Sequence, residues 1–392
     1  MTPEDAGAYA LLMLCVTFVS AVGDVALRQS GPRLSRIQGG WRYLRLTSGV
    51  IAVAQVALVG AFSLTAIEMG WITERQGMLL APLAVAVAPA ALAVPGLVAR
   101  QVAGDWHYIS KLQAGAALVS LVVALPLIPK FGILACAVQS LVADGIIAWA
   151  LRRSRHLEDS RSNKPLTKSY VIPTAVSGSL GWAQGQVEKA SVAIFAGTAA
   201  LGLFSIAYAL GRTVLEAVAA GLVNVARARF ALTDEPRLRR AELLRLVKYA
   251  ILVGLVVQVV TLAIALPTLP RFFGAEWQPM FSLVPLLSGA SVAVSCAWVL
   301  SAVIIDEARA RRLVPYQFVG IALGFIAGAT AAFSLSLAAA LMVGKELLAL
   351  GFRARIVAHL ITRRTLLLLA LGNAFSVAVG GVGFFLSGGR VS

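Results

Sequence analysis

Eight ionisable residues lie inside long apolar runs of this chain: Asp24, Asp144, Glu188, Lys189, Arg212, Glu216, Lys345 and Glu346. A charge at the centre of a spanning helix costs at least ~2.5–3.5 kcal/mol, so each such residue must face a partner or a water-filled space. Two chemistries follow. Lys189, Arg212 and Lys345 could hold an anion such as a phosphate, Arg by its planar fork and Lys as a point charge. Glu188, Asp144, Glu346, Glu216 and Asp24 could couple to an ion; Glu188, with Gln184 one turn earlier, could take a proton or Na⁺. Internal pairing is the alternative. Arg212 and Glu216 stand at i,i+4, as do Asp24 and Arg28, and can pair along one helix face. Lys345 and Glu346 are adjacent, so they point about 100° apart and call for separate partners.

The elements that must position these residues are helices. Of 392 residues, 59% are apolar, only 13% are charged, and the mean hydropathy is +0.84. Soluble domains are nearer ~45–50% apolar and ~25% charged, so an ordinary soluble enzyme is excluded. Twelve apolar runs are each about the length of a spanning helix: 8–27, 46–68, 78–99, 112–129, 132–151, 171–195, 199–222, 249–268, 281–304, 314–331, 333–352 and 365–386. The runs lack the period-two alternation of a membrane β-barrel. The connections are too short to hold a soluble catalytic domain, so no enzyme is expected. The first run follows an acidic start, Met-Thr-Pro-Glu-Asp, where a cleaved signal peptide needs a basic one. The fold expected is an all-α integral membrane protein with about twelve transmembrane helices.

Charge placement orients them. Alternate connections carry 27 Lys and Arg on one side of the membrane and 4 on the other, with Lys189, Arg212 and Lys345 left inside helices. Positive residues stay cytoplasmic in short loops, which puts both termini outside. The net charge of +16 therefore reports topology and an affinity for anionic lipids rather than nucleic acid. Arg28 and Arg100 fall at the cytoplasmic mouth, where an anionic substrate would load. Cys15, Cys136 and Cys296 are scattered, and His107, His156 and His359 lie in connections, so no metal site and no cofactor is expected.

The polar stretch 152–170 splits the chain. FGILACAVQSLVADGIIAWALRR from Phe131 weakly matches FSLSLAAALMVGKELLALGFRAR from Phe333, which aligns Asp144 with Glu346. Gly7-Ala8-Tyr9 similarly matches Gly202-Leu203-Phe204. The expectation is two pseudo-symmetric bundles with a substrate path between them: 1–155 with five helices, a cytoplasmic linker 156–170, and 171–392 with seven. Gly320, Gly324 and Gly328 repeat every fourth residue and predict a close helix contact. Pro82, Pro89 and Pro95 predict kinks in one helix or a broken segment. Trp182 and Trp298 could stack on sugars or pack in the core.

Four stretches carry a family resemblance. They are TPEDAGAYALLMLCVTFVSAVGDVALRQSG, LVARQVAGDWHYISKLQAGAALVSLVVALPLIPKFGILACAVQSLVAD, GSLGWAQGQVEKASVAIFAGTAALGLFSIAYALGR and FFGAEWQPMFSLVPLLSGAS. They resemble the bacterial polysaccharide flippases, the O-antigen and exopolysaccharide translocases of the multidrug/oligosaccharidyl-lipid/polysaccharide exporter superfamily. The resemblance implies alternating access in the bacterial inner membrane, moving a polyprenyl-diphosphate-linked oligosaccharide outward through a cationic cavity. It implies H⁺ or Na⁺ coupling and polysaccharide assembly proteins as partners. A drug or cation antiporter of the same superfamily and a non-transporting assembly scaffold stay open as alternatives. The chain departs from the pattern in four ways. It starts in what resembles the loop after the family's first helix, so that helix is expected to be missing; the family's acidic residue near Glu188 is most often Asp; the basic residue that often follows the AY of the second-half motif is displaced to Arg212; and 365–386 is one helix beyond the usual twelve. No phosphate-binding loop GxxxxGK[ST] occurs, so an ion gradient rather than ATP is the expected driver.

Overall fold

The computed structural model describes residues 2–23, 27–28, 31, 34, 39–152, 172–231, 235–306 and 310–389. Among these residues the regular structure is helical, with no strands. The main helices are α1 (Pro3–Val22), α2 (Gly40–Glu68), α3 (Glu74–Val102), α4 (Trp106–Ala124), α5 (Ile133–Leu151), α6 (172–196), α7 (198–231), α8 (Pro236–Phe272), α9 (Gln278–Ser288), α10 (Ser291–Asp306), α11 (Val314–Ala329), α12 (Leu335–Ile356) and α13 (Arg363–Leu386).

α6 and α7 form a continuous helical stretch broken only at Gly197 (φ 83°, ψ 179°). That conformation is open essentially only to glycine. The break reverses the chain. Lys189 and Tyr208 are 19 residues apart, about 28 Å along a straight helix, yet the Lys189 ammonium lies 4.3 Å from the Tyr208 ring centre. The two arms are thus an antiparallel hairpin, as the separate runs 171–195 and 199–222 predict. Ten helical segments are long and apolar enough to cross a membrane, eleven with the pair α9–α10, which bends by 47° at a short break. One of the ten is the α6–α7 hairpin, which crosses twice, giving twelve crossings among the described residues. This is a multi-pass membrane protein.

Sequence sets the helix starts. Thr2 and Asp5 cap α1 reciprocally, each side chain accepting from the other's backbone N–H, ahead of Pro3. Thr73 and Gln76 do the same for α3. Ser334 and Thr362 cap α12 and α13. Several helices outrun the apolar segments that predict them, α7 and α8 the most: α7 continues to Ala231 and α8 starts at Pro236. The sequence reading treats 227–248 as a connection, but most of it is helix. Hydropathy marks where hydrocarbon ends, whereas a helix can continue into water when its residues favour it, as Arg, Leu, Glu and Lys do here. α3 also runs through Pro82, Pro89 and Pro95 as one helix rather than a broken segment.

The chain divides into two compact units, one of residues 8–183 and one of residues 2–7 with 184–392. The proposed linker 156–170 lies outside the described residues. In the first unit α3 is central and packs on α2 and α5. Val94 and Val98 meet Leu27, Leu34, Trp41 and Leu44, while Ala93 and Leu97 meet Ile109 and Leu151. Trp182 donates to Thr17 Oγ1 at 2.8 Å and packs on Phe18. In the second unit α10 is the core helix, buried at every position from Ser291 to Ala297 and again at Val299, Leu300, Ala302, Val303 and Ile304. It packs mainly on α8 and α12. The α9–α10 break is sealed by α13: Ser376 Oγ bonds the Gly289 carbonyl and Gln258 Oε1 at 3.0 and 2.8 Å. Residues 2–7 join this unit because Gly7 and Gly202 leave room for close backbone contact. A Cβ on Gly202 would lie 1.9 Å from the Pro3 carbonyl oxygen and 2.9 Å from the Gly7 nitrogen.

A candidate anion and ion site on helices α6, α7 and α12

The ionisable residues of the second unit gather into one network. From the Gly197 turn, Glu188 lies nine residues back along α6 and Arg212 fifteen residues down α7, about 13 and 22 Å along their helices. Lys345 lies ten residues into α12, about 15 Å from its start. All three therefore sit at depth within spanning helices.

The inner part is a buried ion pair. The Lys345 ammonium donates to Glu188 Oε1 and to the Gln184 carbonyl, the latter at 3.2 Å. The Lys345 and Glu188 side chains are 3% and 1% exposed. α11 closes over this pair because its glycines carry no side chain. A Cβ on Gly324 would lie 3.2 Å from Glu188 Cδ, and one on Gly328 only 2.5 Å from the Glu188 carbonyl oxygen. The stripe Gly320, Gly324, Gly328 thus meets the α6 face formed by Gln184, Glu188 and Ser191, the close approach its spacing predicts. Glu188 Oε2 and Ser191 Oγ are buried without hydrogen-bond partners among the described residues.

The outer part centres on Arg212. It donates to Glu346 Oε1 at 3.2 Å and lies 3.7 Å from Glu216 Oε1. The Tyr208 hydroxyl donates to Glu216 at 3.4 Å. Two cations lie over the Tyr208 ring, Lys189 at 4.3 Å and Arg212 at 4.7 Å from its centre. Lys189 is half-buried and makes no ion pair among the described residues. Exposure rises outward: Arg212 6%, Glu346 15%, Glu216 35%. Lys345 also reaches Glu346 Oε1, at 3.5 Å. Separate partners for Lys345 and Glu346 do exist, Glu188 and Arg212. The flexible lysine stem lets the two neighbours meet as well.

Beside the network a small pocket of about 10 Å³, enough for one water, lies among Gln184, Gln317, Gly320, Lys345 and Arg353. It is floored by the stacked rings of Tyr316 and Phe352, 4.6 Å apart. Arg353 donates to Ser301 Oγ at 2.9 Å and to the Ala349 carbonyl at 3.0 Å.

The structure gathers Glu188, Lys189, Arg212, Glu216, Lys345 and Glu346 in one unit. Of the three cations expected to face substrate, Arg212 and Lys345 are ion-paired here, because carboxylates from α6, α7 and α12 converge on them. The first unit holds the rest. Arg100 pairs with Asp105 at 2.8 Å and lies over Tyr108 at 4.3 Å. Asp144 is half-buried on α5, Arg28 is half-buried, and neither is without a partner. Asp24 lies outside the described residues. Sequence reasoning missed Tyr208 and Arg353; a tyrosine four residues before Arg212 on the same helix face was the available signal for the first.

Solved structures share this helical membrane fold. Lipid II flippase MurJ in an inward closed conformation is similar with a TM-score of 0.67 at 11% identity, over 99% of this chain and 92% of that one. A multidrug resistance MATE family transporter in an inward-facing conformation gives 0.63 at 14%, over 91% and 92%. A superfamily transporter from Pyrococcus furiosus, described as having a binding pocket of reversed polarity, gives 0.58 at 15%, over 91% and 86%. The chain shares its fold with these proteins. No curated protein matches the chain in sequence. The family is nonetheless settled: over residues 1–282 the chain matches the family described as polysaccharide biosynthesis protein, and it belongs to that family.

Proposed function

We propose that this protein is a flippase that moves a polyprenyl-diphosphate-linked oligosaccharide across the bacterial inner membrane for polysaccharide synthesis, of the O-antigen, exopolysaccharide or capsule kind. The observation that carries the reading is the gathering of Lys189, Arg212 and Lys345 about Tyr208 and Glu346 at depth in spanning helices. Membership of a polysaccharide biosynthesis family supports the cargo class. Phosphates crossing ~30 Å of hydrocarbon need such cations, while the lipid tail stays in the bilayer. The network alternates its exposure between the two sides of the membrane, and a proton or Na⁺ gradient acting on Glu188, Glu216 or Glu346, with Asp24 and Asp144 as further candidates, drives the cycle. Arg28 and Arg100 receive the headgroup at the cytoplasmic mouth, anionic lipids hold the basic face, and assembly proteins take the product.

One observation favours a second reading. The three cations stand beside three carboxylates, and a balanced cluster also suits a cation antiporter of the same fold. Reconstitution into liposomes with a fluorescent polyprenyl-diphosphate oligosaccharide separates the two. Leaflet transfer above that of empty liposomes is expected. Export of organic cations without lipid transfer would establish the antiporter, and neither activity would leave a scaffold.

A further inference from the structure

The gathered ionisable residues of the network are balanced: Lys189, Arg212 and Lys345 supply three positive charges, and Glu188, Glu216 and Glu346 three negative ones. Arg353, which lines the pocket beside Lys345 and acts on Glu346, adds one positive charge at the edge. A diphosphate brings more negative charge than that single excess offsets, in surroundings where an uncompensated charge is costly. One carboxylate must give way for an anion to bind.

The geometry points to Glu346 as that carboxylate: we propose that its Oε1 occupies the position a substrate phosphate oxygen takes, and that the diphosphate displaces it from Arg212. This deepens the proposed function and rests on it. Three observations select Glu346. Its Oε1 is shared by two cations from two helices, Arg212 at 3.2 Å and Lys345 at 3.5 Å, as a phosphate oxygen is when held between Arg and Lys. Its departure leaves both cations compensated, since Lys345 keeps Glu188 and the Gln184 carbonyl while Arg212 keeps Glu216 at 3.7 Å. It is also reachable, being 15% exposed where Glu188 is 1% exposed. Glu188 is out of reach, because it is 1% exposed and covered by the glycine face of α11. Glu216 holds Arg212 only at 3.7 Å, through a guanidinium Nε that lacks a hydrogen bond, so its removal would free less binding capacity.

Glu346 is then a self-anion that keeps the empty site close to neutral and hastens release. The chain's affinity for an anionic headgroup is set by this competition as well as by the cations.

The test is equilibrium binding of a fluorescent polyprenyl diphosphate to the purified full chain in nanodiscs, with a polyprenol of equal length and inorganic diphosphate as further probes. Glu346→Gln should tighten diphosphate-lipid binding roughly fivefold or more, the lower end of usual coupling strengths. It should also slow dissociation, and Glu346→Asp should restore much of the native affinity. Binding of inorganic diphosphate with the same change would assign the site to the phosphates alone; dependence on the polyprenyl chain would assign it to a lipid headgroup. Unchanged or weaker binding by Glu346→Gln, with native thermal stability, would overturn the proposal and make Glu346 a prop for Arg212. Absence of diphosphate-lipid binding by the native chain would instead refute the flippase reading, and this inference with it.

Discussion

The Lys345–Glu188 pair gives the sharpest test of the fold. Its side chains are 3% and 1% exposed and their helices are joined here by charge across 157 residues of chain. Lys345→Met removes the cation and leaves Glu188 charged, buried and without its donor. Breaking a buried pair on one side costs about 3–5 kcal/mol. At about 2–4 °C per kcal/mol for a domain of this size, the unfolding midpoint should fall by roughly 6–20 °C. The double change Lys345→Met with Glu188→Gln removes both charges, and its loss should be far smaller than the single one, since a neutral replacement of a buried pair is often near neutral. The assay is thermal unfolding in one detergent, read by tryptophan fluorescence, on the native chain, both single variants and the double. Additive losses in the double variant, or a single variant that melts with the native chain, would refute the pair as drawn.

Three further outcomes follow from the packing. Gly328→Leu should cost stability and yield, since even a Cβ there lies 2.5 Å from α6 backbone, whereas Gly344→Ala, with nothing within 4 Å, should not; equal yields would argue against the α6–α11 contact. Gly197→Ala should cost about 1–3 kcal/mol, because its φ of 83° and ψ of 179° suit only glycine, and a midpoint unchanged from the native chain would contradict the hairpin turn. Trp182→Phe should lose about 1 kcal/mol with its bond to Thr17 and retain transport; a large loss of glycan affinity at native stability would assign sugar stacking as its role.

Much of this was legible in the residues and some was not. The spanning runs were, since hydropathy reports hydrocarbon directly, and the Arg212–Glu216 approach follows from i,i+4 spacing. The extra turns of α7 and α8 were not, because charged residues that favour helices end an apolar run without ending the helix. The Gly320–Gly324–Gly328 spacing announces a close partner but not which one; only the fold supplies Gln184, Glu188 and Ser191. Likewise Lys345 and Glu188 each read as buried charges in want of a counter-charge, and their mutual choice depends on α6 and α12 being neighbours, which no local pattern encodes. Arg353 reads as one of many cytoplasmic cations until Ser301 on α10 is placed beside it.

The most direct measurement of the central claim is leaflet transfer in proteoliposomes of two probes alike except for charge, a polyprenyl-diphosphate oligosaccharide and a neutral polyprenyl glycoside. Transfer of the diphosphate probe alone is expected, abolished in Arg212→Gln protein that still folds. Equal transfer of both probes, or full diphosphate transfer without the Arg212 guanidinium, would contradict it.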